Sequence, residues 1–395
     1  MCLKMEGSSR KMSHLYLFNP ENDLALAHGK AQYTAPPNAL FLHNAGAALP
    51  FWFCNKGDCV LALGLDCDWL KKISSLFGLN GELLCEQNLS IVTACNPWGW
   101  SLNAKKQFVN CGVATDLLPQ DIDLSSIREL SHRRISIEVL SCIKKLMPLL
   151  DIVIPCEAKT QDEVVAFAKL HRNIFIKSPW SSSGRGVINS SLLNETELRR
   201  RSNGIIRRQG SVMCEKALDK ERDFAMLFYS DGEKVRYQGL SLFFNEGNGA
   251  YAGNIIAPQC EIRKILDDYS TGINLDELSL NLERILSEVI VGRYQGYLGV
   301  DMIIYKIDND RYSIAPCIEV NLRMTMGVVA LLWSQRYLAN GSRGVMRVEY
   351  NPYESHKEGF DFENLVIDEK KLKSGTISLI PPDKYFSIYV SVKNE

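Results

Sequence analysis

The sequence has 395 residues, 46% of them hydrophobic and 23% charged, so it can bury sizeable cores and is expected to divide into two or three domains. Its formal net charge of −1 provides no overall basic field, which argues against nucleic acid or an anionic membrane surface as the main partner. No run reaches the ~18 apolar residues of a membrane span, no signal-peptide core is evident, and the 12 scattered cysteines suit reduced thiols, so we expect a cytoplasmic protein.

Short apolar runs alternate with a helical period in the first 130 residues. Three runs indicate strands, at 14–20, 59–64 and 89–97, and an amphipathic segment at 66–77 indicates a helix. This alternation predicts a small α/β domain with a parallel sheet. Two polar loops, NPENDLA and NPWGWS, follow the first and third strands, where open α/β sheets bind ligands. Turn formation and helix capping would explain their Asn and Trp residues equally well.

Two helical patterns follow this domain. The first covers 130–150, and we expect Ser131 to be its N-cap. The second begins at Thr160, with Glu163 three residues later in capping-box spacing. It leads directly into a predicted strand that ends at Lys177.

After Lys177 the chain forms a polar loop, SSSGRG, before apolar residues resume in a return strand at 187–191. Gly184 and Gly186 would let backbone N–H groups approach a ligand closely, and three serine hydroxyls add donors. The lysine supplies a cation at the base of the loop, and together these groups suit a polyphosphate. A plain flexible hairpin would explain the same residues.

The common nucleotide-binding motifs are missing from the sequence. A Walker motif has Gly-Lys-Ser or Gly-Lys-Thr at the end of its loop, whereas this lysine precedes the glycines. The His-Arg-Asp and Asp-Phe-Gly tripeptides of protein kinases do not occur. The nearest match to the dinucleotide fingerprint, at 247–253, has the wrong glycine spacing. These three classes of nucleotide site are therefore not supported.

A second pattern, at 296–327, predicts a β-hairpin. Folding it about a three-residue turn centred on Asp310 brings Asp301 opposite Glu319, because each lies nine residues from that centre. Pro316 is a site where a bulge would shift this register.

One face of the hairpin is predicted to be polar while the other is apolar. Strand alternation gives this polar face four side chains, Asp301, Glu319, Asn321 and Arg323. Carboxylate and amide oxygens suit Mg²⁺, which binds through a few carboxylates together with substrate phosphates. Two buried carboxylates without a cation would be costly. A structural salt bridge among Asp301, Glu319 and Arg323 is the alternative.

Taken in order, these segments resemble the ATP-grasp superfamily over residues 131–340. The Glu-x-Asn-x-Arg pattern that begins at Glu319 is the most specific of the matching motifs. The resemblance implies an α/β and α+β protein, in which two α+β lobes hold ATP and an N-terminal Rossmann-like α/β domain precedes them. The implied domains are 1–130, 131–214 and 215–395.

The resemblance also implies roles for individual residues. Lys177 and the glycine-rich loop would contact the phosphates, a hinge within 212–224 would meet adenine, and Asp223 would bind ribose where the family usually has glutamate. The implied nucleotide-binding residues are Lys177, Ser181, Ser182, Ser183, Gly184, Arg185, Gly186, Glu215, Lys216, Ala217 and Asp223. The implied metal-binding residues are Asp301, Glu319 and Asn321, and the implied catalytic residues are Arg323 and Lys177.

One family feature has no direct match in this sequence. Family members usually have another nucleotide-contacting lysine before the glycine-rich loop. Here that contact would have to come from Arg133 or Arg134, or from Lys105 or Lys106 earlier in the chain.

The activity implied by the resemblance is that of a ligase. A substrate carboxylate would attack the γ-phosphate of ATP, and an amine or another nucleophile would then attack the acyl phosphate and release phosphate. ATP and Mg²⁺, with Mn²⁺ as the alternative cation, are the implied cofactors, and small-molecule carboxylates and amines are the implied substrates. A small-molecule kinase and a nucleotide-binding accessory protein without turnover are the alternatives.

Overall fold

The computed structural model describes residues 13–181, 186–247, 249–351 and 364–394. Four residues predicted to bind nucleotide lie outside these ranges: Ser182, Ser183, Gly184 and Arg185. None of the helices within them is long and apolar enough to cross a bilayer.

The first part of the chain forms a four-stranded parallel sheet in the order β3-β2-β1-β4. This confirms the α/β domain predicted from the alternating runs. In the run at 89–97 only residues 94–97 form a strand, and its first residue, Leu89, is the last residue of a short helix. The elements are β1 (His14–Leu17), α1 (Asn22–His28), α2 (Pro37–Ala45), β2 (Cys59–Leu61), α3 (Cys67–Phe77), β3 (Glu82–Leu83), α4 (Glu86–Leu89), β4 (Ala94–Pro97) and α5 (Leu102–Asn110).

Two helices, α6 (Asp121–Leu130) and α7 (Ile135–Leu146), follow this domain. Ser131 ends α6, and both its N–H and its hydroxyl donate to the carbonyl of Ile127. The prediction that Ser131 begins a single long helix was therefore wrong. The chain leaves the helical path after it, since the N–H of Arg133 donates to the carbonyl of Pro179.

A small antiparallel sheet, in the order β5-β8-β6-β7, comes next. Its helix α8 begins with the predicted capping box, in which Thr160 accepts from the N–H of Glu163. Lys177 pairs with Val187, so the predicted strand and return strand flank the glycine-rich loop. The elements are β5 (Cys156–Ala158), α8 (Gln161–His171), β6 (Ile174–Lys177), β7 (Val187–Asn189), α9 (Glu195–Gln209) and β8 (Val212–Lys216).

The remainder of the chain builds a nine-stranded antiparallel sheet in the order β13-β12-β9-β10-β11-β14-β17-β16-β15. The elements are β9 (Asp219–Ser230), β10 (Val235–Asn245), β11 (Tyr251–Ile256), α10 (Gln259–Asp267), α11 (Leu275–Ile290), β12 (Gly296–Lys306), β13 (Tyr312–Asn321), α12 (Met326–Tyr337), β14 (Ser342–Tyr350), β15 (Val366–Asp368), β16 (Lys371–Ser378) and β17 (Phe386–Asn394).

The hairpin of β12 and β13 has the predicted register at its functional end, where Asp301 pairs with Glu319. The turn itself differs from the prediction, because Lys306 pairs with Tyr312 and the loop is therefore centred one residue earlier. An irregularity that contains Pro316 adds residues to β13 and offsets this difference.

The two faces of the large sheet pack against different partners. Val300, Met302 and Ile304 are fully buried on one face, in a core that includes residues of α7, α10 and α11. On the other face, Ala225 and Leu227 pack against α12. Asp301 pairs directly with Ala225, so its side chain lies on this second face.

The first domain and the far end of the large sheet share one hydrophobic core. Trp52 packs against Phe77 from the same domain and against Trp333 and Tyr337 from α12. The indole N–H of Trp52 also donates to the carbonyl of Leu379 at 2.8 Å. These contacts fix the first domain against the sheet that carries the polar hairpin.

Candidate active site

The two carboxylates predicted to face each other lie on the edge strand β13 of the large sheet and on its neighbour β12. Asp301 on β12 pairs with Glu319 on β13. Burial, followed by the negative charge of Glu319, raises the pKa of the Asp301 carboxyl to about 7. Two acidic groups held this close in a buried setting form a place where a cation would be favoured.

A chain of hydrogen bonds connects the first domain to these carboxylates. Asp23, in α1, accepts from Nε of Arg323 at 3.1 and 3.0 Å and lies 2.8 Å from its Nη2. Nη2 also donates to Oδ1 of Asn321 at 2.9 Å. Nδ2 of Asn321 in turn donates to Oδ2 of Asp301 at 3.0 Å. The amide orientation is fixed by these partners, because a flipped amide would set donor against donor.

Arg133 is the cation that contacts Glu319. Its Nη1 lies 2.6 Å from Oε2 of Glu319, and the Arg133 side chain is only 7% exposed. Its Nε donates to the carbonyl of Ser178 at 3.0 Å, and its Nη2 donates to Oγ of Ser181 at 3.2 Å. Arg133 therefore joins the base of the glycine-rich loop to the carboxylates.

The salt bridge considered as an alternative has different partners in the structure. Arg323 pairs with Asp23, while Glu319 pairs with Arg133. Two arginines thus contact the polar face: Arg323 from the same chain segment, and Arg133 from the turn before α7.

Lys177 and Glu215 form a second buried ion pair, between the facing strands β6 and β8. Both residues are less than 10% exposed. Burial raises the pKa of the nearby Cys317 thiol, and the charges of Glu215, Asp301 and Glu319 raise it further, while Lys177 opposes them. Charged groups of both the small sheet and the large sheet therefore influence the pKa of this thiol.

The described ends of the glycine-rich loop are Ser181 and Gly186. Gly186 has a φ of 71°, and a Cβ added there would lie 2.6 Å from Oγ of Ser178. Its carbonyl accepts from the N–H of Ser178 at 2.9 Å, which closes the loop at its base. A side chain at this position would be strained and crowded, so glycine is required.

The predicted hinge, at 212–224, covers β8, a short connection and the start of β9. Ala217 lies in it, and its N–H donates to the carbonyl of Asn173 at 3.0 Å. Asp223 lies further along β9 and pairs with Ile303. Because residues 301 and 303 point to the same side of β12, Asp223 and Asp301 share one face of the sheet.

A small cavity opens between the first domain, the loop base and β13. It is lined by Asp23, Ser131, Trp180, Ser181, Glu319, Val320, Asn321 and Leu322. Its charged lining residues are the carboxylates of Asp23 and Glu319, which pair with Arg323 and Arg133.

The overall architecture matches solved structures at low sequence identity. Biotin carboxylase from Campylobacter jejuni, solved as a β-γ-ATP complex, gives a TM-score of 0.52 with 11% identity, over 97% of this chain and 88% of that chain. The N5-carboxyaminoimidazole synthetase from Staphylococcus aureus, solved with ADP, gives 0.50 with 11% identity, over 97% and 94%. The biotin carboxylase domain of 2-oxoglutarate carboxylase from Hydrogenobacter thermophilus, solved with MgADP, ADP and bicarbonate, gives 0.50 with 13% identity, over 96% and 86%.

No protein-family model matches the sequence, and no curated protein matches it. The first two of these enzymes are ATP-grasp proteins, and their match extends over nearly the whole chain. The chain has the ATP-grasp fold. This confirms the fold that the resemblance implied.

Within the ATP-grasp fold, the residues considered for the missing lysine contact lie in different places. Arg133 lies at the carboxylates. Arg134 pairs with Glu129 and Glu157 on a more exposed surface. Lys105 pairs with Asp121 at 2.6 Å, at the exposed start of α6. Arg133 thus lies at the polar face, whereas Arg134 and Lys105 lie on more exposed surfaces.

The two polar loops of the first domain contact each other and also the end of β13. The side chain of Asn19 exchanges hydrogen bonds with the backbone of Gly99, which ties the two loops together as the turn interpretation expects. The carbonyl of Trp98 accepts from the N–H of Met324, just after β13. Asp23, from the same NPENDLA loop as Asn19, instead pairs with Arg323 at the candidate site.

Asp23 was not predicted as a site residue, although the loop that contains it was noted for its position after a strand. The residues around Asp23 do not indicate its partner, because Arg323 lies 300 residues away in the sequence. Only the packing of the first domain against β13 brings the two together.

A buried histidine beside Arg133 gives a prediction for pH dependence. Burial, followed by the positive charge of Arg134, lowers the pKa of His132 to about 4, and its Nδ1 accepts from the N–H of Arg134 at 2.9 Å. The unfolded chain would protonate this ring near pH ~6.5, so stability is expected to fall as the pH drops from there towards 4. The loss is expected to be roughly 3 kcal/mol.

The measurement is urea unfolding at pH 7 and pH 4.5 for the unmutated protein and for His132→Gln, which is neutral at both. The variant should lose less stability between the two pH values. Equal losses in the two proteins would show that His132 is not the titrating group.

Proposed function

We propose that the protein is an ATP- and Mg²⁺-dependent ligase that joins a small carboxylate to an amine, or to another nucleophile, through an acyl phosphate. The observation that carries this proposal is the pairing of Asp301 with Glu319, which Arg133 joins to the base of the glycine-rich loop, within an ATP-grasp fold. The nucleotides present in the matched structures are in keeping with ATP as the cosubstrate. Because those sequences are only 11–13% identical, the activity is argued from the site.

The chemistry of the donors fits a hard divalent cation. Asp301 and Glu319 supply carboxylate oxygens, and Oδ1 of Asn321 has a second lone pair beside the one that faces Arg323. No cluster of three or more His, Cys, Asp or Glu side chains suited to a metal occurs in the described part of the chain. A cation at this place would therefore complete its shell with the amide, substrate phosphates and water, and Mn²⁺ would accept the same ligands.

When bound, Mg²⁺ would neutralise charge on the phosphate oxygens during transfer. Lys177, at the base of the glycine-rich loop, would hold phosphate oxygens by a point charge. The hinge around Ala217 would meet the adenine, and Asp223 would accept from the ribose hydroxyls. Nη1 of Arg323 has two N–H groups, and the carbonyl of Met324 accepts one of them at 3.2 Å. The other would point to an oxygen of the transferring group.

In this reaction the protein positions the substrates and forms no covalent intermediate with them. A carboxylate oxygen of the first substrate attacks the γ-phosphorus and ADP leaves. The amine nitrogen next attacks the acyl carbon, phosphate leaves and the nitrogen loses a proton.

The first test is the thermal unfolding midpoint with and without ATP and Mg²⁺. A ligand at about 100 times its dissociation constant adds ~2.7 kcal/mol, which is easily detected. Stabilisation that needs Mg²⁺ would be followed by a screen of carboxylates and amines for ADP release, with hydroxylamine present to trap an acyl phosphate. A phosphorylated product in place of a hydroxamate would favour the kinase alternative, and no stabilisation at millimolar ATP would overturn the nucleotide site.

A further inference from the structure

The first domain contributes a side chain to the catalytic region through Asp23. This carboxylate meets Arg323 side-on, with contacts of 3.1, 3.0 and 2.8 Å to two of its nitrogens. Both side chains are about 15% exposed, so water weakens the pair only in part. Arg323, just after the end of β13, is thus paired with a carboxylate from the first domain, which lies outside the two nucleotide-binding lobes of the ATP-grasp fold.

The pair is the start of a continuous path rather than an isolated contact. Nη2 of Arg323 is shared between Asp23 and Oδ1 of Asn321, and the amide of Asn321 donates to Asp301. Each link fixes the orientation of the next, since a guanidinium fork and an amide both have fixed donor directions. The orientation of the Asp301 carboxylate therefore depends, three links away, on Asp23.

We propose that Asp23 is a positioning residue for the cation-binding carboxylates, acting through Arg323 and Asn321. This inference rests on the proposed function, because it assumes that Asp301 and Glu319 hold Mg²⁺. Residues that orient the ligands of a metal typically change its affinity by 10–100-fold when they are replaced. Docking of the first domain is then a condition for a competent metal site.

The test uses ATP and Mg²⁺ as probes on the full chain, with Asp23→Asn as the main variant. The readout is the Mg²⁺ concentration that gives half of the ATP-induced thermal stabilisation. We expect about a tenfold rise in this concentration for Asp23→Asn. Asp23→Glu keeps the carboxylate and should recover much of the difference, which a loss of packing alone would not do.

Arg336→Gln is the matched control, because Arg336 also joins the large sheet's helix α12 to the first domain but lies outside the path. Its Nη1 donates to the carbonyl of Cys54 at 3.0 Å. We expect this variant to lower the midpoint of the unliganded protein without changing the Mg²⁺ requirement.

Three outcomes would overturn the inference, and they can be distinguished. If the unmutated protein shows Mg²⁺-dependent stabilisation and Asp23→Asn has the same requirement, Asp23 is not a positioning residue. The same holds if Arg336→Gln shifts the requirement as much as Asp23→Asn does. If the unmutated protein shows no Mg²⁺-dependent stabilisation, the proposed function fails and the inference fails with it.

Discussion

Replacing Glu319 with glutamine is expected to abolish the Mg²⁺-dependent part of the stabilisation by ATP. The variant keeps the shape of the side chain and can still accept from Arg133, but it removes one of the two carboxylates on the polar face. At about 100 times the dissociation constant, the unmutated protein should gain ~2.7 kcal/mol with MgATP. The variant should gain no more with Mg²⁺ than with EDTA.

The unliganded Glu319→Gln protein is expected to be less stable by about 1–3 kcal/mol, because a charge-assisted hydrogen bond to a buried arginine becomes a weaker one. Glu288→Gln is a suitable control, since Glu288 pairs with Arg284 on the exposed side of α11. Calorimetry with both proteins separates the two effects. A Mg²⁺ requirement in Glu319→Gln equal to that of the unmutated protein would show that the cation binds elsewhere.

Replacing Lys177 with methionine is expected to weaken ATP binding by about 10–100-fold, through the loss of a charged donor to phosphate. The same change leaves Glu215 buried without its cation, which should destabilise the protein by about 3–5 kcal/mol. A loss of affinity in this variant could therefore arise from partial unfolding.

The double variant Lys177→Met/Glu215→Gln separates these causes. It leaves no uncompensated charge at the pair, so much of the stability should return while the affinity for ATP stays low. Isothermal titration with ATP and Mg²⁺ would be compared across both variants and Glu215→Gln alone. ATP affinity restored in the double variant would mean that Lys177 serves the fold and does not contact the nucleotide.

The sequence predicted the elements that local patterns define. The parallel sheet, the capping box at Thr160 and the strands around the glycine-rich loop all follow from periodicity and from the geometry of capping and turns. Ser131 shows the limit of such reasoning. A serine before an apolar period suits the start of a helix, but here a long-range bond from Arg133 to Pro179 placed a turn after it.

The register of the polar hairpin was right for a partly wrong reason. The turn centre lies one residue before Asp310, and the extra residues around Pro316 bring Asp301 back opposite Glu319. A proline can indicate that a strand is irregular, but it does not say how many residues are inserted. The partners of Arg323 and Glu319 were also beyond prediction, since they come from α1 and from the turn before α7.

The core shared by Trp52 and the far strands has a consequence for how the protein is made. The residue that accepts from its indole N–H is synthesised 327 positions later. At about 5–20 residues per second, a ribosome needs some tens of seconds to cover that distance. During this interval the side of Trp52 that later meets α12 and Leu379 has no partner, so the nascent first domain exposes apolar aromatic surface until those residues emerge.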